Sequence, residues 1–238
     1  MKNILFVCSL LALTASCGKG MHRVPPEQRK QQQQFQAQQE ALDKLGKATE
    51  EKFKKMPVPE LLAELEGAAE TGREPFNAPA FREIITRKDV VEPLVKSITT
   101  PSRKEYFKLM ALKKLDASAY AKIPRRQGAE ILIDALARSE TFNAWGIPNH
   151  YWESSAKAIV EYGADAVPGL EKLLNDKRPA PVWGSEEAMI YARYQFRVCD
   201  YALALLHEIT PTRNKVELPV TPAERDALIA SYRTGQIQ

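Results

Sequence analysis

Two segments of the chain carry the side chains best suited to recognising another molecule. Their aromatic and histidine residues are Phe142, Trp145, His150, Tyr151, Trp152 and Trp183. Both segments lie in long connections between predicted helices, and Lys177 and Arg178 add a basic rim. Because tryptophan and tyrosine are enriched at interfaces, these residues predict a contact surface for a protein or a glycan. A second interpretation stays open, in which both tryptophans fold inward and fill the ends of their helical hairpins.

Arginine and tyrosine residues alternate along a later helical segment. Arg193 and Arg197 are four residues apart and are accompanied by Tyr191 and Tyr194. Helical spacing places these charges and rings on adjoining stripes. Such a surface could bind a carboxylate or a phosphate, and the alternative is that the arginines make packing contacts between helices.

The other reactive side chains predict no catalytic, cofactor or metal site. His22, His150 and His207 have no second ligand at metal-binding spacing, and His207 suits the carboxyl end of a helix through the helix dipole. The chain also contains no glycine-rich phosphate loop and no nucleophile elbow. We therefore expect a binding protein rather than an enzyme.

One set of residues supports a catalytic alternative. Glu153-Ser154, Tyr162-Gly163-Ala164 and Gly169-Leu170 resemble the signature of lytic transglycosylases, many of which are lipoproteins. This resemblance implies a peptidoglycan-active enzyme as the alternative function.

The first residues predict export. Lys2 and the apolar stretch 4–13 are typical of a secretory signal peptide, here residues 1–16, and that stretch is too short to span a bilayer. The segment Leu13-Thr14-Ala15-Ser16-Cys17 resembles the lipobox of bacterial lipoproteins, which implies cleavage before Cys17 and its acylation, as with palmitate. Gly18 in place of an aspartate implies delivery to the outer membrane, facing the periplasm. Plain secretion is the alternative.

Residues 17–57 form a glutamine-rich segment with few apolar side chains to bury. This composition predicts a flexible tether, since burial cannot offset the entropy lost on ordering. Phe35, Leu42, Leu45 and Phe53 are loosely spaced as on one helix face, which predicts a single frayed helix within the tether. A coiled-coil segment is the alternative, with fewer than three consistent heptads.

Helical periodicity dominates the domain predicted at residues 58–238. Three segments repeat at a period of about 38 residues, within the range of helical solenoids. They are Val91–Ile98, Ile131–Leu136 and Val167–Leu174, followed by second helices at Ser102–Leu115, Trp152–Tyr162 and Ser185–Ile209. The predicted inner faces of these second helices carry Phe107, Met110, Ala111 and Leu115, then Ala156, Ile159 and Val160, and then Val198, Ala202, Leu205 and Leu206. No run alternates convincingly like a strand. The pattern predicts an all-α fold, a short solenoid of stacked antiparallel helix pairs.

The last repeat resembles a HEAT repeat. Ala166-Val167-Pro168 opens its first helix, Asp176 lies in the turn and Arg197 lies in the second helix. In that family the turn aspartate and the helix arginine form a ladder between units, which implies the same roles for Asp176 and Arg197. The segment Thr221-Pro222-Ala223-Glu224 has the pattern of a helix N-cap and predicts a final helix that closes the stack.

Charge and cysteine content limit the choice of partners. The chain has 238 residues and a net charge of +4, with acids and bases interspersed, which does not favour nucleic-acid binding. Cys8 lies in the predicted signal peptide and Cys17 is the predicted lipid site. Cys199 therefore has no partner for an internal disulfide, and its apolar helical context predicts a buried, inert thiol, with a reactive thiol as the alternative.

These observations favour a lipid-anchored binding or scaffold module of the bacterial cell envelope. Its expected partners are an unidentified envelope protein and, through the lipid, the membrane. A structural envelope lipoprotein without a specific ligand is a further alternative.

Overall fold

The computed structural model describes residues 26–71, 74–210 and 217–235. These residues are mostly helical, which confirms the predicted all-α class. The predicted signal peptide at residues 1–16, Cys17 and the first part of the tether lie outside the described residues. The chain divides into two compact units, Met1–Ala48 and Thr49–Gln238.

Helix α1 is a continuous 29-residue helix, Pro26–Lys54, where we expected a flexible tether or a frayed helix. Its glutamine, alanine, glutamate and lysine residues have high helix propensity, and proline suits the first helical position. Glu27 in the first turn and Lys52 in the last turn complement the helix dipole. Phe35 and Leu42 are exposed. Local propensity rather than burial of these side chains therefore accounts for this part of the helix.

The second unit consists mainly of short helices. They are α2 (Val58–Glu70), α3 (Pro79–Ile84), α4 (Val91–Ser97), α5 (Arg103–Leu115), α6 (Ala117–Tyr120), α7 (Arg125–Arg138), α8 (Ser154–Tyr162), α9 (Val167–Leu173), α10 (Ser185–Tyr194), α11 (Val198–Ile209) and α12 (Pro222–Arg233). Single 3-10 turns lie at Pro75–Asn77, Lys88–Val90 and Gly163–Asp165. Phe53 and Met56 are buried in the core, so this unit begins before residue 58.

Neighbouring helices of the second unit share one apolar core. Helix α5 packs against α2, α4 and α7, helix α8 packs against α7 and α11, and helix α9 packs against α7 and α11. The predicted inner-face residues Phe107, Ile159 and Leu205 are fully buried. The apolar stripes read from the sequence therefore face the core, as their three- and four-residue spacing predicted.

The predicted boundaries hold for several helices. Helices α4, α5 and α9 coincide with predicted segments within one residue at each end. The side chain of Thr221 accepts a hydrogen bond from the backbone N–H of Glu224 (3.3 Å), which confirms the predicted N-cap of α12. These boundaries depend on local signals, which is why the sequence revealed them.

A short β-hairpin precedes α8 and was not expected. Strand β1 (Gly146–Ile147) pairs antiparallel with β2 (Tyr151–Trp152), with Gly146 opposite Trp152. Helix α8 therefore begins at Ser154 rather than at Trp152. Gly146 has a φ of 85°, and a β-carbon there would lie 2.3 Å from the carbonyl oxygen of Tyr151. Only glycine fits this close approach of the two strands.

The predicted long helix Ser185–Ile209 is wrong, because it is broken into α10 and α11. Gln195 adopts the left-handed conformation with a φ of 49° and ends α10. The carbonyl oxygens of Tyr194 and Gln195 then accept hydrogen bonds from the guanidinium of Arg225 on α12, at 2.9 and 3.4 Å. A helix end leaves carbonyl groups without intrahelical partners, and a distant arginine supplies partners here.

A buried ion-pair network joins α11 to α12. Asp200 and Arg225 are both fully buried, with 2.9 Å between Oδ2 of Asp200 and Nε of Arg225. Arg197 pairs with both Asp200 and Asp226 at 2.9 Å. The implied ladder between Asp176 and Arg197 is therefore wrong, and Asp176 instead accepts a hydrogen bond from Arg178, two residues along (3.0 Å).

Gly128→Ala is expected to lower the free energy of unfolding by about 1–3 kcal/mol. A β-carbon at residue 128 would lie 2.1 Å from the hydroxyl oxygen of the buried Tyr162 ring. Gly67 on α2 is the matched control, because a β-carbon there meets no atom within 4 Å. Gly67→Ala should raise the free energy of unfolding by about 0.5–1 kcal/mol, as alanine is the better helix former. Urea denaturation measures both changes, and equal changes would contradict this packing.

Candidate interaction surface

Trp183 presents its indole ring to solvent from a fixed backbone. Its side chain is exposed, at 66 % of the residue's full accessibility. Asn143 holds the backbone of Trp183 through two hydrogen bonds, accepting from its N–H (2.9 Å) and donating to its carbonyl oxygen (2.6 Å). Because the backbone is already ordered, burying this ring against a partner costs little further conformational entropy.

Trp145 has the opposite placement. It is fully buried, its indole N–H donates to the Ser139 hydroxyl at 2.8 Å, and its ring stacks on that of Tyr106. Phe142 is also fully buried and lies against Tyr201. Each of the two interpretations therefore describes one tryptophan. Trp145 folds inward into the core, and Trp183 is exposed.

The hairpin places the other predicted residues near the surface. Tyr151 is 40 % exposed, whereas Trp152 is half-buried and donates its indole N–H to Glu208 (3.2 Å). His150 is exposed, and its ring lies nearly perpendicular to that of Tyr194, with 5.8 Å between the ring centres. Tyr151 and His150 thus remain accessible to a partner, and Trp152 is partly engaged within the fold.

The two predicted arginines do not form one anion site. Arg193 is exposed and its guanidinium lies 5.5 Å from the centre of the Tyr194 ring. Arg197 is mostly buried and is held by Asp200 and Asp226. Arg197 therefore makes packing contacts between helices, as the alternative interpretation predicted. Of the two arginines, only Arg193 is at the surface.

The sequence analysis did not identify Met189 and Asn143, two residues near Trp183 in the chain or in space. Met189 is 68 % exposed in the second turn of α10, a helix none of whose residues is buried. We define the Trp183 patch as three exposed side chains: Trp183, Met189 six residues later on α10, and Tyr151, whose phenol lies near Glu187 of the same helix. A methionine on a helix gives no signal of exposure by itself, and the role of Asn143 depends on a contact 40 residues away. Neither residue could therefore be identified from the local sequence pattern.

The basic rim predicted for this surface is neutralised within the fold. Lys177 pairs with Asp226 at 2.8 Å, and Arg178 pairs with Asp176 and donates to the carbonyl oxygen of Ala137. Both cations are therefore occupied in local contacts, which weakens their attraction for an anionic partner.

The residues that resemble a transglycosylase signature do not converge. Glu153 is exposed just before α8, and Gly163 lies just after that nine-residue helix. A helix of this length holds its two ends roughly 14 Å apart. Gly169 instead makes room for Ile133, since a β-carbon at residue 169 would lie 2.3 Å from the Ile133 side chain.

Burial shifts the pKa values of the Cys199 thiol and the His207 imidazole. Cys199 is fully buried, and burial raises the pKa of its thiol to about 12. Burial also lowers the pKa of His207, because desolvation penalises the charged imidazolium. No group of three or more histidine, cysteine or carboxylate side chains within residues 26–71, 74–210 and 217–235 could hold a metal ion.

Among the helices that the structure describes, none has both the length and the apolar character needed to span a bilayer. Comparisons of the chain with protein families, with curated proteins and with solved structures find no match.

Proposed function

We propose that this chain is a lipid-anchored binding or scaffold module of the bacterial cell envelope, which engages a partner protein through the Trp183 patch. The observation that carries this proposal is the exposed Trp183 ring on a backbone that Asn143 holds in place. Tryptophan and tyrosine dominate the binding energy of protein interfaces when a partner covers them. Methionine adds a flexible apolar contact that adapts to the partner's shape.

The scaffold in this proposal is a short HEAT-like solenoid. Its support is the serial packing of α2 on α5, α5 on α7, α7 on α8 and α8 on α11. Such stacking makes a rigid framework on which loops such as the one containing Trp183 are held in register. The β-hairpin and α10 are additions to that plan on the side that carries the patch.

The anchor in this proposal is Cys17, acylated after removal of residues 1–16, with delivery to the outer membrane facing the periplasm. Its support is the lipobox-like segment at residues 13–17. A lipid anchor confines the module to a thin layer near the membrane, so a weak contact with an envelope protein gains from a high effective concentration.

A photocrosslinking residue in place of Met189 tests this proposal in bacterial cells that express the full chain. We expect a discrete crosslinked product that disappears in the Trp183→Ala background. We also expect a yield about tenfold lower in a Cys17→Ala background, because the anchor no longer concentrates the module.

The control is the same crosslinking residue at Lys96, which is exposed on α4 and pairs with Glu92. It should give no Trp183-dependent product. If Met189 and Lys96 give the same products, or if neither gives any, the binding function is refuted and a structural envelope lipoprotein without a ligand is favoured.

A further inference from the structure

Carboxylates of the first turn of α10 lie beside Trp183. A β-carbon at Gly184, the residue after Trp183, would lie 2.0 Å from Oε2 of Glu187, so this carboxylate lies directly beside the backbone that presents the ring. Glu186 is exposed in the same first turn of α10. Partial burial raises the pKa of Tyr151, and the negative charges of Glu187 and Glu153 raise it further, which places both carboxylates near that phenol.

Among the residues that the structure describes, no basic side chain pairs with these carboxylates. Across residues 26–71, 74–210 and 217–235, none of the ion pairs includes Glu153, Glu186 or Glu187. The basic residues expected at the rim, Lys177 and Arg178, are paired with aspartates. The patch therefore carries these carboxylates beside Trp183 and Tyr151, on a chain whose net charge is +4. Arg193, four residues after Met189 on α10, is an exposed cation at the Met189 end of the patch.

We infer that the Trp183 patch binds a basic peptide segment, in which an arginine or lysine side chain stacks on the exposed aromatic rings and pairs with Glu186 and Glu187. This inference rests on the proposed binding function and specifies the partner's chemistry. A guanidinium group can stack on an aromatic face while its N–H groups donate to carboxylates at the edge. Apolar side chains next to that cation would cover Met189. Anionic surfaces such as nucleic acid or acidic lipid are repelled by the same carboxylates.

Three synthetic peptides test this assignment. They share their length and leucine positions, and their variable positions are all arginine, all glutamate or all serine. Fluorescence anisotropy of each labelled peptide against the full chain should give an affinity about tenfold or more tighter for the arginine peptide than for the other two. The net charge of +4 would favour the glutamate peptide through non-specific attraction. Tighter binding of the arginine peptide therefore indicates recognition by the local carboxylates rather than by the overall charge of the chain.

Variants of the chain locate the site. Trp183→Ala, and separately the double variant Glu186→Gln with Glu187→Gln, should reduce the affinity for the arginine peptide about tenfold, to the level of the serine peptide. The matched control is Glu92→Gln with Glu130→Gln. It removes the same number of charges from exposed carboxylates on α4 and α7, and should leave the affinity unchanged. Circular dichroism verifies that every variant keeps its helical fold.

Equal or tighter binding of the glutamate peptide would overturn the inference, and so would an arginine preference that survives in both patch variants. Failure of this inference is distinct from failure of the proposed function. If crosslinking from Met189 depends on Trp183 while the arginine peptide is not preferred, the binding function stands and only the basic class of partner is wrong.

Discussion

Asp200→Asn is expected to lower the free energy of unfolding by about 3–5 kcal/mol. The carboxylate of Asp200 is fully buried and serves two guanidinium groups, those of Arg225 and Arg197, at 2.9 Å each. Asparagine has nearly the same shape, so the substitution removes charge without opening a cavity. Arg225 then remains buried without its counter-ion, and that desolvated charge accounts for most of the cost. Urea denaturation followed by circular dichroism measures the change.

Asp226→Asn is the matched control for this prediction. Asp226 pairs with Arg197 and Lys177, but its side chain is 37 % exposed, so its removal should cost less than about 1 kcal/mol. A double variant, Asp200→Leu with Arg225→Met, should be less destabilised than the sum of the two single changes, because it leaves no isolated buried charge. Similar losses for Asp200→Asn and Asp226→Asn would show that the network is not buried as described.

Trp145→Ala should destabilise the fold by about 3–5 kcal/mol, whereas Trp183→Ala should change the free energy of unfolding by less than about 0.5 kcal/mol. Trp145 is fully buried against Tyr106, whose hydroxyl is hydrogen bonded to that of Ser155 at 2.7 Å. Removal of the Trp145 ring leaves a cavity between the loop that contains residue 145 and α5, and it breaks the hydrogen bond to Ser139. Trp183→Ala removes only a side chain that is exposed to solvent.

Trp145→Phe separates the contribution of ring packing from that of the indole hydrogen bond. It keeps most of the ring volume but loses the indole N–H that donates to Ser139, so an intermediate loss is expected. Thermal and urea denaturation of the three variants provide the comparison. If Trp183→Ala destabilises the chain as much as Trp145→Ala, then Trp183 packs within the fold and the Trp183 patch does not exist.

The helices that sequence revealed best are those whose signals are local. The stripe at Phe107, Met110 and Ala111 predicted α5, and its inner positions are buried. The N-cap at Thr221 predicted the start of α12. Apolar spacing and capping both act within one or two helical turns, so a short window of sequence contains the whole signal.

The features that sequence missed depend on distant contacts. The break at Gln195 coincides with hydrogen bonds from Arg225, 30 residues later in the chain. Trp145 and Trp183 are each followed by a glycine. Ser139 nevertheless holds the ring of Trp145 inside the core, while Asn143 holds the backbone of Trp183 at the surface. No short window of sequence around either tryptophan contains that difference, which is why the sequence alone is compatible with both interpretations.

The buried arginine that closes the end of α10 has a consequence for the order of folding. Arg225 follows Tyr194, Gln195 and Asp200 in the sequence and therefore leaves the ribosome after these residues. Until it emerges, the carboxylate of Asp200 lacks one of its two guanidinium partners, and the α10–α11 junction cannot be sealed from water. The last contacts of this core are thereby made only after α12 has been synthesised.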